Sequence, residues 1–566
     1  MLPRRSAFWS FVLTLISVTI FFPTYRAQAE SPWAMVGANS ARTFQSTRSG
    51  PGEDIALLWK SQTPPDAEQF HYGPVYATVS ESGSVFALSH NLYAFGPGGQ
   101  LLYQKDLGPA YNAGTEVGVI SGDTLYAGLV NTLHAFDVSG NELDEYTIPG
   151  PLNDFYFKTP AIAPDGEIIL PMRKDDDSIG SACALANMWW VDGSLTWMFE
   201  LGNLNILYPP AVNQNSIILV STANLNDVYA SETPASLLCF LSSGELFWRQ
   251  DNIVLGMPLV DNANNLCLVR SSLDHREAGV IAMNMTTGAV EWEFTPSDLY
   301  YDDGINSGRG FPLAMDSAHG IYYAFWQRGW DDSSLAGVLT AINRDGALLW
   351  SNEWSNNRER RYSLMKHPIV DADGCVYIFY SYVQLEQGIE QSSVGCCDVF
   401  DSQGEEIAHE EFPSSSTDLN WSNCEPAVGP DNRIYMFAQD FDFPVTCSLY
   451  AFGKSSESTE ARPKITTAGY GLSEVTDQGG SLSIEANVYH PQGASKISSV
   501  DVLINGQSTG YSLTRGDSPD EFSLELNIDA GMLAPGRFLL ELMATDVNGN
   551  TSDIWPYFTV GAATAD

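Results

Sequence analysis

Between residues 74 and 453 the chain repeats one pattern of apolar and polar positions. Each copy opens on a proline with small apolar residues, turns at an Asp, Asn or Gly pair, and runs into a β-rich stretch. A variable stretch, a second β-rich run, a glycine turn and a tryptophan complete it. Residues 160–200 show the pattern as PAIAPDGEIILPM followed by ALANMWWVDGSLTWMFE, and residues 258–294 as PLVDNANNLCLVR followed by GVIAMNMTTGAVEWEF. The runs are short, alternating or continuously apolar, and no segment keeps a 3.6-residue period, so each copy predicts four strands and no helix. The opening prolines Pro160, Pro210, Pro258, Pro312, Pro368 and Pro426 are spaced by 50, 48, 54, 56 and 58 residues. Two less regular copies begin near Pro74 and Tyr111. Eight four-stranded units predict an all-β fold, an eight-bladed β-propeller over residues 73–453.

The eighth copy ends at SLYAFGK without a fourth strand, and a matching orphan, IALLWKSQT at 55–63, precedes the first copy within a lead-in segment, residues 30–72. Trp59 there takes the place of Trp350 in the sixth copy. The N-terminal strand is therefore expected to complete the last blade and leave no open sheet edge. Trp59, Trp197, Trp248, Trp292 and Trp350 are expected to dock each blade on the next. After a polar linker, 454–464, strict alternation returns: Leu482, Ile484, Ala486 and Val488 share one face, as do Phe522, Leu524, Leu526 and Ile528, and Phe538, Leu540, Leu542 and Ala544. With hairpin signals at Asn505-Gly506 and Asn548-Gly549, residues 465–566 predict an immunoglobulin-like β-sandwich.

The repeat resembles the β-propellers of pyrroloquinoline-quinone (PQQ)-dependent alcohol dehydrogenases and their cofactor-free relatives, whose blade motif is A-x-D-x-x-T-G-x-x-x-W. Ala282, Thr287, Gly288 and Trp292 match it, with Asn284 in place of the Asp. Ala341, Gly346 and Trp350, then Gly193 and Trp197, Gly244 and Trp248, and Ala135, Asp137 and Gly140 keep parts of it. The stretch Trp33 to Asn39, continuing to Arg42-Thr43, is similar to the lead-in of such proteins. The C-terminal ATDVNGN run (544–550) is similar to immunoglobulin-like modules of secreted bacterial proteins. For the quinoenzymes of the family, the resemblance implies a calcium-bound quinone under a vicinal disulfide. Cys396-Cys397 invites that reading. Aligned on the glycine turns, however, the pair falls inside a third strand with Cys397 level with Leu133 and Leu92, and successive strand residues face opposite ways. The pair is read as core. No cofactor is expected; PQQ with calcium is the alternative, as a dehydrogenase of alcohols or sugars.

Composition narrows the partners. With 69 acidic and 27 basic residues the formal charge is −42, which repels phosphate backbones and anionic membranes, so no nucleic-acid partner is expected. Arg4 and Arg5, the apolar stretch Ala7 to Phe22, and Ala27-Gln28-Ala29 read as a signal peptide over residues 1–29, with no lipobox cysteine, so a secreted or periplasmic location is expected, with no transmembrane segment after its removal. No hydrolase, zinc-protease or phosphate-loop motif occurs, no Cys/His spacing suggests a metal, and no catalytic residue is assigned. The Asp runs at 175–177, 302–303 and 331–332, and the DADG turn at 371–374, read as solvated loops and turns.

The long connections fall at 173–182, 222–236, 270–279, 327–337, 381–394 and 438–446, with 297–311 and 352–367, all on one propeller face, whereas the opposite turns are short. Elaboration of one face of a scaffold marks where partners are met. Residues just before the opening prolines ring the axial funnel on that face: His71, Tyr72, Lys158, Tyr208, Arg309, Phe311, Lys366 and His367. The expected function is binding or scaffolding of a protein, peptide or glycan.

Overall fold

The computed structural model describes the strands and short turns between residues 34 and 560. Residues 1–33 and 561–566 lie outside the described residues, as do most long connections, among them 63–74, 107–117, 148–154, 175–181, 225–234, 273–277, 297–312, 327–336, 365–367, 414–423, 441–445 and 455–462. The signal-peptide reading therefore falls outside them.

Among the described residues the propeller region is eight antiparallel sheets, each four strands deep. Sheet I holds Thr78–Val79, Val85–Leu88, Asn91–Phe95 and Leu101–Asp106; sheet II holds Val119–Ser121, Thr124–Leu129, Thr132–Asp137 and Glu142–Thr147. Sheets III and IV are built on Ala161–Ile162, Ile168–Lys174, Ala182–Trp189 and Ser194–Gly202, and on Ala211–Val212, Ile218–Asn224, Ala235–Phe240 and Leu246–Val254. Sheet V runs Leu259–Asp261, Leu266–Ser272, Ala278–Asn284 and Val290–Phe294; sheet VI runs Leu313–Asp316, Ile321–Trp326, Gly337–Asn343 and Leu348–Trp354. Sheet VII has Ile369–Val370, Val376–Glu386, Ile389–Phe400 and Glu406–Pro413. In sheet VIII, Ala427–Val428, Ile434–Asp440 and Thr446–Lys454 are joined by Ile55–Gln62 as the fourth strand. The register runs from Ile55 opposite Lys454 to Gln62 opposite Ser448, with a bulge between Leu57 and Trp59.

The innermost strands neighbour one another in the order VIII, I, II, III, IV, V, VI, VII. Val75–Tyr76, leading into sheet I, also pairs in parallel with Cys424–Glu425, leading into sheet VIII. Inner strands are short and, but for Ser121, buried, second and third strands fill the core with residues such as Tyr323, Phe325, Leu339 and Ala341, and outer strands alternate with solvent. This is the gradient expected when sheets stack face to face around an axis.

A side chain from six of the eight outer strands reaches the turn of the next sheet. A Cβ placed on Gly99 of sheet I would meet Trp59 at 2.7 Å, and one on Gly140 would meet Tyr103 at 2.8 Å. The same pairing joins Gly244 to Trp197, Gly288 to Trp248, Gly346 to Trp292 and Gly404 to Trp350, at 2.5, 2.9, 2.8 and 2.6 Å. All six glycines have φ between 68° and 85°. Glycine is needed twice, for the left-handed backbone and for the ring lying on its face. Trp197, Trp248 and Trp350 also donate Nε1–H to the carbonyls of Ser242, Met285 and Ser402.

Sheet VII departs from the sequence reading. The connection expected at 381–394 is instead an extended two-stranded arm, Val376–Glu386 against Ile389–Phe400, and Arg360–Leu364 adds a further strand to it. Alternating Tyr380 and Tyr382 bracket Tyr362 at 5.8 and 5.9 Å between centroids. That aromatic face drives pairing where polar composition suggested a loop.

Residues 464–560 form two further antiparallel sheets. Lys464–Leu472, Gly480–Tyr489, Glu521–Ile528 and Thr514–Arg515 make one; Gln507–Ser512, Ile497–Ile504, Gly536–Asp546, Thr551–Ile554 and Tyr557–Val560 make the other. Leu482, Ile484, Ala486, Val488, Phe522, Leu526, Ile528, Leu540, Leu542 and Ala544 are buried in one cluster between them.

Candidate functional site: the axis and the strap that closes one end

Residues 34–50 are an extended strap laid over the inner strands. Ile120 of sheet II donates its amide to Ala34 O at 2.7 Å. Val212 (IV) donates to Ser40 O at 2.6 Å, and Val260 (V), Met315 (VI) and Val370 (VII) donate to the carbonyls of Ala41, Thr43 and Phe44 at 2.8 Å each. Arg42 reaches two more positions, Nε to Pro210 O at 2.9 Å and an Nη to Pro160 O at 3.2 Å. Arg48 pairs with Glu81 in the first turn of sheet I. The strap thus touches each of sheets I to VII, beginning on II with Ala34 and ending on I with Arg48, and the chain then becomes the outer strand of sheet VIII. Its amide partners sit at the ends of the inner strands, beside the short turns. That end of the axis is covered by the chain's own backbone.

The conformation is unusual and firmly held. Ala38, Arg42 and Phe44 have φ of 71°, 56° and 51°, a region that costs non-glycine residues roughly 1–2 kcal/mol each. Backbone hydrogen bonds to the sheets and the burial of Met35, Ala38, Ala41, Arg42 and Phe44 offset that cost. Arg42 is fully buried. Its guanidinium carries a permanent positive charge, here solvated by peptide carbonyls of the residues that open sheets III and IV. The far end is tied to sheet VII, where Gly50 N–H donates to Asp371 Oδ2 at 2.8 Å and Gly52 N–H to Tyr377 OH at 2.9 Å. Tyr377 OH donates in turn to Asp371 Oδ2 at 2.7 Å. Burial pushes the Asp371 carboxyl above the usual carboxylate range despite these donors.

Of the funnel residues, Lys158 is half-buried with its amide on Pro171 O at 2.9 Å, on the approach to sheet III. Tyr208 is buried in the cluster that also contains Ala38, Phe44 and Met257. His71, Tyr72, Arg309, Phe311, Lys366 and His367 lie outside the described residues. In the sequence Arg42 stands out only as part of the lead-in resemblance. A single arginine in a polar segment carries no signal of burial.

Residues 191–422 match a PQQ_2 family model, described as outer membrane protein assembly factor BamB. The matched stretch runs from the end of sheet III through sheet VII, where the tryptophan–glycine pairs lie. The stacked four-stranded sheets make this an all-β chain of propeller type, and the matched stretch is similar to PQQ-like propeller repeats. No curated protein matches the sequence. Among solved structures, the chain is similar to a Dos1 propeller at 10% identity and TM-score 0.43, covering 71% of this chain and 96% of that one. It is similar also to the dihydro-heme d1 dehydrogenase NirN in complex with DHE, at 12% identity and TM-score 0.41, covering 66% and 75%. The Pan2 WD40 domain of Neurospora crassa matches at 7% identity and TM-score 0.37, covering 72% and 98%.

The vicinal cysteines do not fit a quinone cap. They lie in the third strand of sheet VII, opposite Tyr380 and Phe379, both fully buried and both thiols. Cys396 and Cys397 face opposite sides of the sheet, two strands from the axis. Burial holds the Cys397 thiol well above its ordinary value, the behaviour of a small core residue.

Proposed function

We propose that the protein is an exported, non-catalytic PQQ-like propeller of eight blades, with an immunoglobulin-like module at its C-terminus, that binds a protein, peptide or glycan on its long-loop face. The observation that carries this reading is the strap. Residues 34–48 cover the short-turn end of the axis and take up the amides at the ends of five inner strands. The opposite end, with the long connections, is then the one from which a ligand can approach the axis, and Lys158 stands on its approach. Pairing of Ile55–Gln62 with the last sheet supports a closed ring. The order of basic, apolar and small residues in 1–29 supports export.

The test places a photo-crosslinking amino acid at Val228 or Ser333 in long connections, and at Asn215 or Asp345 in short turns, in protein expressed in an exporting host. Adducts are expected from the first pair and not from the second. Adducts confined to the short-turn pair would overturn the reading. So would purified protein that, given PQQ and calcium, acquires the quinone spectrum and reduces a dye with an alcohol.

A further inference from the structure

We propose that the outer half of sheet VII holds a zinc ion between Cys396, His409 and Glu411. Cys396 and Glu411 face each other across the third and fourth strands, as do Asp398 and His409 two positions along. The strand period of two brings all four side chains to one face. A ligand atom from each of Cys396, His409 and Glu411 lies within 4.8 Å of the other two. The His409 Nε2 to Glu411 Oε1 distance is 3.5 Å, close to the spacing of two ligands on one tetrahedral ion.

The surroundings orient these atoms for a metal. His409 Nδ1 is hydrogen-bonded to Asp398 Oδ1 at 2.6 Å, which leaves Nε2 to coordinate. Asp398 is fixed in turn: Trp354 Nε1–H of sheet VI donates to Oδ2 at 3.0 Å and Tyr380 OH to Oδ1 at 3.1 Å. Tyr382 OH donates to Glu411 Oε1 at 2.9 Å. A carboxylate behind a histidine and a hydroxyl behind a carboxylate are the outer partners that set ligand direction and basicity at zinc centres. A thiolate, an imidazole and a carboxylate form a mixed soft and borderline set that selects zinc over calcium or magnesium. Cys396 is buried, whereas the side chains of His409 and Glu411 are 36% and 47% exposed, so an ion enters from solvent and keeps a water as fourth ligand. Binding displaces the proton of the Cys396 thiol.

Full-length protein is titrated with cobalt(II) as a spectroscopic probe and separately with zinc, with bound metal counted after dialysis. The expected result is one zinc per chain and, with cobalt, a sulfur-to-metal charge-transfer band together with intense tetrahedral d–d bands. C396S removes the charge-transfer band, H409Q and E411Q abolish retention, and D398N weakens it ~10–100-fold. Circular dichroism confirms that each variant is folded, and cobalt spectra of wild type need no variant at all. Wild-type protein that gives no sulfur-to-cobalt band, retains no zinc, or retains calcium as well as zinc overturns the proposal.

Discussion

The glycine after the third strand of six sheets answers two constraints at once, a left-handed backbone and an aromatic ring on its face, and substitution separates them. Gly346 has φ 80° and Trp292 at 2.8 Å from a built Cβ; Gly166 has φ 89° and nothing within 4 Å. Gly166→Ala is expected to cost about 1 kcal/mol, the backbone term alone, and Gly346→Ala about 2 kcal/mol more, because the tryptophan must leave its seat. Urea denaturation of both variants measures the gap; equal costs would mean that the ring is not held there. The sequence shows the parts of this pairing, glycine and tryptophan four residues apart in the third to sixth copies, but each ring packs on the glycine of the following sheet. The burial of Arg42 leaves no such trace. Arg42→Met strips the carbonyls of Pro160 and Pro210 of a charged donor while keeping most of the apolar stem, and is expected to destabilise by roughly 3 kcal/mol. An unchanged denaturation midpoint would show that the guanidinium is dispensable.

Among the elements, Ile55–Gln62 has most to lose by removal. Without it, Thr446–Lys454 becomes an exposed edge whose amides and carbonyls can template another chain. A chain beginning at residue 63 also lacks the strap and its bonds to the inner strands. It is expected to elute as aggregate in size-exclusion chromatography and to unfold at lower temperature, whereas a chain beginning at residue 30 stays in the wild-type peak. The strand itself could be found from its likeness to the sixth copy. The strap could not, because residues 34–50 show no alternation and the bonds that seat them on the sheets go to partners tens to hundreds of residues away. The arm of sheet VII was hidden for a related reason: Gln384, Glu386, Gln391 and Ser392 look like loop composition, and pairing is settled by Tyr362, Tyr380 and Tyr382, which meet only after folding.

At the scale of the molecule, the propeller core and the C-terminal core are separate clusters that share no residue. Scanning calorimetry is expected to resolve two transitions, with a chain ending at Lys454 retaining only the larger; one merged transition that shifts as a whole on truncation would show that the two parts unfold as a unit. What the amino-acid sequence determined by itself was the local grammar: strand runs of period two, turn glycines, tryptophans four residues on, an orphan strand near the N-terminus, and the alternating strands after 464. Each of these acts over a few residues, so each repeats visibly. Tertiary structure alone decided that residues 34–48 cover one end of the axis, and that Cys396, Asp398, His409 and Glu411 share a face. These depend on register between strands and on contacts between distant segments. A shift of one residue would send every side chain of a strand to the opposite face.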